Sequence, residues 1–262
     1  MAKHVLRIVA LVYLTFLLVL PVGIVFWRTF EHGPGPVWDA LTTPNALHAI
    51  QLTVVVAVVA VIGNTIFGVG TALLIVRHRF AGRRVLNALI DLPVAVSPVV
   101  VGLALILVYG RTTPVGVWLG DHGLDIIFAV PGMVMATMFV SLPLVVRAVA
   151  PVLEEIGTEQ EQVASTLGAS ALTTFRRITL PSIRWALVFG VVLTLARGLG
   201  EYGAVAVVSG RLVGQTQTAT LFVEERFQNF DQPAAYAMSF LLAGMAVIVL
   251  LATNLLRPRE GT

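Results

Sequence analysis

The chain has 262 residues, of which 57% are hydrophobic and 12% charged, with a net charge of +3 and no cysteine. Soluble domains carry about a quarter charged residues, so this composition points to a chain built for lipid. The basic residues sit at the ends of apolar runs and form no patch, which argues against a nucleic-acid partner. The missing cysteines exclude disulfides, thiolate catalysis and Cys-ligated metal sites.

Lys3 and Arg7 precede an apolar run that starts at Ile8. A signal peptide starts the same way, but this run continues to Trp27 without a small-x-small cleavage site, so a retained first helix is expected. A spanning helix needs about 20 mostly apolar residues. Six runs meet that length, at 8–27, 50–76, 86–109, 127–149, 185–209 and 234–256. They are continuous rather than alternating, which predicts helices. The expected fold is an all-α, polytopic membrane protein, with 1–262 as a single transmembrane domain.

Between the first two spans, "GPGP" at 33–36 marks a turn. Span three, in "IDLPVAVSPVVVGLALI", contains Pro93 and Pro98, with Asp91 near one end. The prolines would kink the helix and free backbone groups. Two readings stand: packing kinks with an interfacial acid, or a hinge or lining of a pathway that includes Ser97 and Pro98. Lys and Arg placement sets orientation. Lys3, Arg7, Arg77, Arg79, Arg83, Arg84, Arg147, Arg176, Arg177, Arg184, Arg257 and Arg259 fall on one side, and Arg28, Arg111, Arg211 and Arg226 on the other. With six spans this places both termini in the cytoplasm.

The stretch "EEIGTEQEQVASTLGASALTTFRRITLPSIRW", Glu154 to Trp185, lies in the long cytoplasmic loop at about 150–184. It reads as two short helices with a break at Gly168. Thr158 or Ser165 suits an N-cap, and Glu159 and Glu161 suit a first turn. Leu167, Leu172, Phe175 and Ile178 recur at helical spacing. Pro181 is expected where span five begins. On chemistry alone, an amphipathic segment on the headgroups and a partner-docking segment are both open.

In "ARGLGEYGAVAVVSG", Arg197 and Glu201 are i, i+4 neighbours inside span five. Ionisable residues within a span are costly and face the bundle interior or a water path. Either the pair neutralises itself and locks packing, or Arg197 lies close to an anion path with Glu201 holding it. Guanidinium donors suit oxyanions.

Trp27, Trp38, Trp118 and Trp185 fall near predicted interfaces, as an aromatic belt does. His4, His32, His48, His78 and His122 are scattered and make no metal-binding spacing. No Walker A pattern occurs, so any ATP used belongs to another chain. An intramembrane enzyme would need a polar constellation in its spans, and Arg197 with Glu201 is the firm pair there.

The cytoplasmic stretch resembles the "EAA" loop of binding-protein-dependent ABC importer permeases, whose pattern is E-A-A, three residues, Gly, nine residues, I-x-L-P. Gln162, Val163 and Ala164, then Leu167 and Gly168, then Ile178, Leu180 and Pro181 fit the spacing, with Gln162 in place of Glu and Val163 in place of Ala. Glu161 is adjacent but off register. "DLPVAVSPVVVG", "GLGEYGAVAVVSG" and "GQTQTATLFVEERF" resemble the sulfate/thiosulfate permeases, in particular their W-type (CysW) subunits. Molybdate and tungstate permeases are relatives that more often carry "PP-x-V-x-G" where this chain has "SPVVVG".

The resemblance implies the fold of a type I ABC importer permease, multi-pass in the cytoplasmic membrane of a prokaryote. It implies a coupling role for Gln162, Val163, Ala164, Leu167, Gly168, Ile178, Leu180 and Pro181, and a pathway or gating role for Arg197, Glu201, Tyr202, Pro98 and Ser97. The implied partners are a homologous T-type permease subunit, two copies of an ABC ATPase and an extracytoplasmic sulfate-binding protein. ATP and magnesium would sit on the ATPase, with no cofactor on this chain.

Overall fold

A computed structural model of the protein describes residues 2–256; Arg257 and Arg259 of the expected basic side lie outside the described residues. Among these, every regular element is helical: α1 (Ala2–Leu14), a π turn (Thr15–Val19), α2 (Leu20–Phe30), α3 (Pro34–Leu41), α4 (Pro44–Arg77), α5 (Arg83–Ala95), α6 (Pro98–Tyr109), α7 (Pro114–Asp121), α8 (Val130–Ile156), α9 (Glu159–Thr166), α10 (Ala171–Thr174), a second π turn (Phe175–Thr179), α11 (Leu180–Leu199), α12 (Val205–Val208), α13 (Ala219–Gln228) and α14 (Gln232–Leu256). Five stretches are long and apolar enough to cross a membrane: Lys3–Phe30, Pro44–Arg77, Val130–Ile156, Ala171–Leu199 and Gln232–Ala252.

The predicted span at 86–109 is not one straight helix. α5 and α6 meet at a 115° bend. Pro93 is accommodated inside α5, and the chain breaks at Val96 and Ser97, both extended. The residue before a proline is pushed out of the helical region, so Pro98 sets the break. The broken pair still covers the length of α8. Ile90 packs with Val149 and Leu153, whereas Leu105 and Ile106 pack with Met133 and Ala136. Together α5 and α6 reach both ends of α8, and counted as one broken span they bring the crossings to six.

The predicted span at 185–209 moves. Its helix runs from Ala171 to Leu199, ending before Glu201. Pro181 stands in the first turn of α11, as expected, but the chain is already helical before it, because the π turn precedes it. Leu180 donates to Phe175 O across five residues, and that wide turn absorbs a proline that has no N–H to give. The same device, with Leu20 donating to Thr15 O, precedes Pro21 in the first span.

The core lies where α4, α8 and α11 pack together. At one end Val69, Ile75, Val145, Val149, Leu153 and Ile183 form a buried cluster. At the other, Leu52, Val56, Met133, Ala136, Val205 and Leu221 form a second. Small residues bring the helices close, as is usual in lipid: a Cβ on Gly68 would stand 2.8 Å from Val145 Cβ, and one on Gly190 3.1 Å from Val145 Cα. Asn64, fully buried, donates to Ser141 Oγ at 2.9 Å and to Met138 O at 3.0 Å, tying α4 to α8 by side chain.

Candidate functional site

Two polar regions stand out on this apolar scaffold. The first is the segment between α8 and α11. Gly157, at φ +63°, turns the chain out of α8, and Gly168, at φ +82°, separates α9 from α10. Left-handed backbone of this kind favours glycine. Thr158 holds the N-cap position of α9 but caps no N–H; its hydroxyl accepts from Gln162 Nε2 at 2.9 Å. Ser170, which the sequence did not single out as a cap, accepts from Thr173 N and starts α10.

The expected apolar stripe divides. Phe175 packs on the core cluster, while Leu167 and Leu172 are 83% and 65% exposed. Val163, Ala164, Leu167 and Ile178 line a shallow hollow of about 410 Å³, with Glu159 and Gln160 at its rim. Gln162, Val163 and Gly168 are exposed, Leu180 is half-buried and Pro181 is exposed. Exposed apolar hollows bounded by polar side chains are the kind of surface on which proteins meet partners or membranes.

Glu161 is the residue the sequence undervalued. Its carboxylate accepts from Arg77 Nη2 at 3.2 Å and Thr179 Oγ1 at 2.8 Å, and Arg77 Nε lies 3.1 Å away. The partners stand far apart in the chain, and no local pattern marks the pair.

The second region surrounds the far end of α11. Arg197 Nη1 lies 2.5 Å from Glu201 Oε2, the arginine side chain 39% exposed and the glutamate 2%. The expected helical i, i+4 geometry is absent, because α11 stops at Leu199. Instead Glu201 bends back to accept from Ala204 N at 3.0 Å, and its own carbonyl accepts from Thr220 Oγ1 at 2.9 Å. One carboxylate therefore meets the cation and caps the next turn.

The loop after Glu201 lies against the start of α6. A Cβ on Gly203 would meet Pro98 Cβ at 3.0 Å, and one on Gly102 would meet Val207 Cβ at 2.7 Å and Ala204 O at 2.9 Å. The break between α5 and α6 and the Arg197–Glu201 pair thus share one packed unit. Pro98 belongs to it; Ser97 is exposed and caps nothing. Tyr202 is 40% exposed. Partial burial first, then the hydrogen bond and charge of Glu224, raise its phenol pKa above the ordinary value, with Arg211 opposing.

The sequence profile of the family described as "Binding-protein-dependent transport system inner membrane component" matches residues 64–261. The chain belongs to that family. The matched stretch of this inner membrane component begins inside α4 and takes in both polar regions. Among its relatives, the chain is 46% identical over 259 residues to the "Sulfate transport system permease protein CysW" of Synechocystis sp. (strain ATCC 27184 / PCC 6803 / Kazusa), covering 99% of this chain and 94% of that one. It is 46% identical to the protein of the same name from Escherichia coli (strain K12), covering 93% and 84%. It is 36% identical to the "Sulfate transport system permease protein CysT" of Salmonella typhimurium, covering 96% and 91%.

The fold of this family member is also that of a solved bacterial ABC transporter involved in the import of the acidic polysaccharide alginate. The TM-score is 0.81 at 16% identity, over 100% of this chain and 96% of that one. A second solved structure, of a bacterial alginate ABC transporter in complex with its alginate pentasaccharide-bound periplasmic protein, gives 0.80 over 97% and 92%. At that identity the likeness speaks for the fold alone.

Proposed function

We propose that the chain is the permease subunit of an ATP-driven importer that carries sulfate or thiosulfate across the cytoplasmic membrane. The observation that carries this is the 46% identity, over 99% of the chain, to a protein named as a sulfate transport permease. The likeness to CysT-type permeases supports a second, T-type permease subunit as the partner within the membrane.

The α9–α10 segment, on the basic end of the bundle, faces the cytoplasm in this reading. The hollow formed by Val163, Ala164, Leu167 and Ile178, with Gln162 and Gly168 beside it, receives a separate ABC ATPase. ATP and magnesium act there, on two copies of that subunit, and an extracytoplasmic binding protein delivers the anion. From the hollow a helical path leads through Leu180 and Pro181 to Arg197, since Ala171–Leu199 is continuous. Arg197 supplies a guanidinium beside the anion path. Glu201 balances it, which keeps the site from becoming a trap for a dianion.

The test is ATP-dependent uptake of labelled sulfate by the co-expressed complex with its binding protein, challenged with thiosulfate and with molybdate. Competition by thiosulfate alone is expected. Uptake blocked by low molybdate would move the chain to the molybdate and tungstate permeases.

A further inference from the structure

α9 has little of its own to hold it to the bundle. Its main packing neighbours are α10 and the π turn at Phe175–Thr179. Its apolar side chains Val163 and Leu167 are 59% and 83% exposed. Packing against the long helices therefore does not fix its position.

A polar junction does. Arg77 is the last residue of α4. Its Nη1 donates to Leu153 O, in the last turn of α8, at 2.8 Å. Its Nη2 and Nε face the two oxygens of Glu161, in the first turn of α9, at 3.2 and 3.1 Å. Thr179 Oγ1, at the foot of α11, donates to the same carboxylate at 2.8 Å. One guanidinium and one carboxylate thus join the ends of four helices. Each charge also suits its helix dipole, the cation at a C-terminus and the anion at an N-terminus.

The geometry sets this pair apart from a surface ion pair. The side chains are 11% and 21% exposed, so salt screens them less than solvated charges. One planar guanidinium donates Nη1 to Leu153 O and Nη2 to Glu161 Oε1, which fixes orientation as well as distance in a way a lysine ammonium cannot.

We infer that Arg77 is a positioning residue for transport: its bridge from Leu153 O to Glu161 makes α9 move together with the ends of α4, α8 and α11, so that a displacement of docked α9 reaches the spanning core. This rests on the reading of α9 as the ATPase-docking element. Without the bridge, α9 rocks on the π turn while the core stays still.

The test uses the assembled complex in liposomes, with ATP hydrolysis and labelled sulfate uptake measured in the same vesicles. Glu161→Gln keeps size and an acceptor for Thr179 but removes the charge. Arg77→Lys keeps the charge but removes the planar bridge between Leu153 O and Glu161. Both variants are expected to assemble with the ATPase in wild-type amounts and to hydrolyse ATP. Both should carry about tenfold less sulfate per ATP, a size typical of coupling between two sites. Combining Arg77→Glu with Glu161→Arg should recover part of that ratio. A wild-type ratio in both single variants overturns the inference. So does a proportional loss of uptake and hydrolysis that tracks loss of assembled complex, since that marks a purely structural pair. A wild-type chain that captures no ATPase overturns the docking reading itself, and this inference with it.

Discussion

Arg197 and Glu201 meet 2.5 Å apart across the end of α11, with the carboxylate 2% exposed and already engaged by Ala204 N. The glutamate is therefore the buried member and the arginine the accessible one. Arg197→Ala leaves a charged group buried without its counter-ion, and breaking a buried pair costs about 3–5 kcal/mol. The lower end is expected here, because Arg197 is itself partly exposed. Adding Glu201→Gln removes the stranded charge and keeps an acceptor for Ala204 N. Thermal melts of the purified complex should show the single variant well below the double. If the double variant regains stability but not uptake, Arg197 acts on the anion and not only on its neighbour.

The ion pair that joins Arg147 of α8 to Asp91 of α5 should behave differently. Arg147 grips Asp91 with Nε at 2.9 Å and Nη2 at 2.5 Å, yet the side chains are 46% and 53% exposed. Pairs that open to solvent contribute about 0–1 kcal/mol. Asp91→Asn is expected to shift the same melt far less than Arg197→Ala.

Gly168 separates the effect of backbone from the effect of size. Its φ is +82° and nothing stands within 4 Å of a Cβ built on it. A side chain there costs roughly 1–2 kcal/mol through backbone strain, and asparagine tolerates the conformation better than other residues. Gly168→Asn should retain ATPase capture and uptake, and Gly168→Ala should lose part of both. Gly168→Leu falling far below Gly168→Ala in a capture assay would mean that the partner fills the open space beside Gly168.

Gly102 is the opposite case. A methyl group there runs into Val207 Cβ at 2.7 Å and Ala204 O at 2.9 Å. Overpacking of this kind costs about 1–3 kcal/mol. Gly102→Ala should lower the melting temperature of the complex. Gly244→Ala, with open space around its Cβ, should not.

The apolar runs reveal most of the crossings, because a spanning helix must satisfy its backbone alone and so declares its length in sequence. Its ends are less legible. α11 stops at Leu199 because Glu201 turns its carboxylate onto Ala204 N, a choice between two local bonds that hydropathy does not register. Pro98 announces an interruption in the predicted third span, but the 115° bend depends on what α6 packs against. The Gly168 to Pro181 spacing is local and was readable. The bond from Arg77 to Glu161 spans 84 residues, and only the packing of α4 beside α8 brings its two halves together.

The π turn ahead of Pro181 has a consequence for aim. Each residue of an α-helix advances about 100° around the axis, and a π turn inserts one surplus residue without ending the helix. Everything before Phe175, including the exposed apolar side of α9, is therefore clocked by that amount relative to α11. The azimuth at which the cytoplasmic segment leaves the membrane is set by a single added amino acid, and a one-residue deletion there would re-aim it and pull Phe175 and Thr179 away from the core and from Glu161.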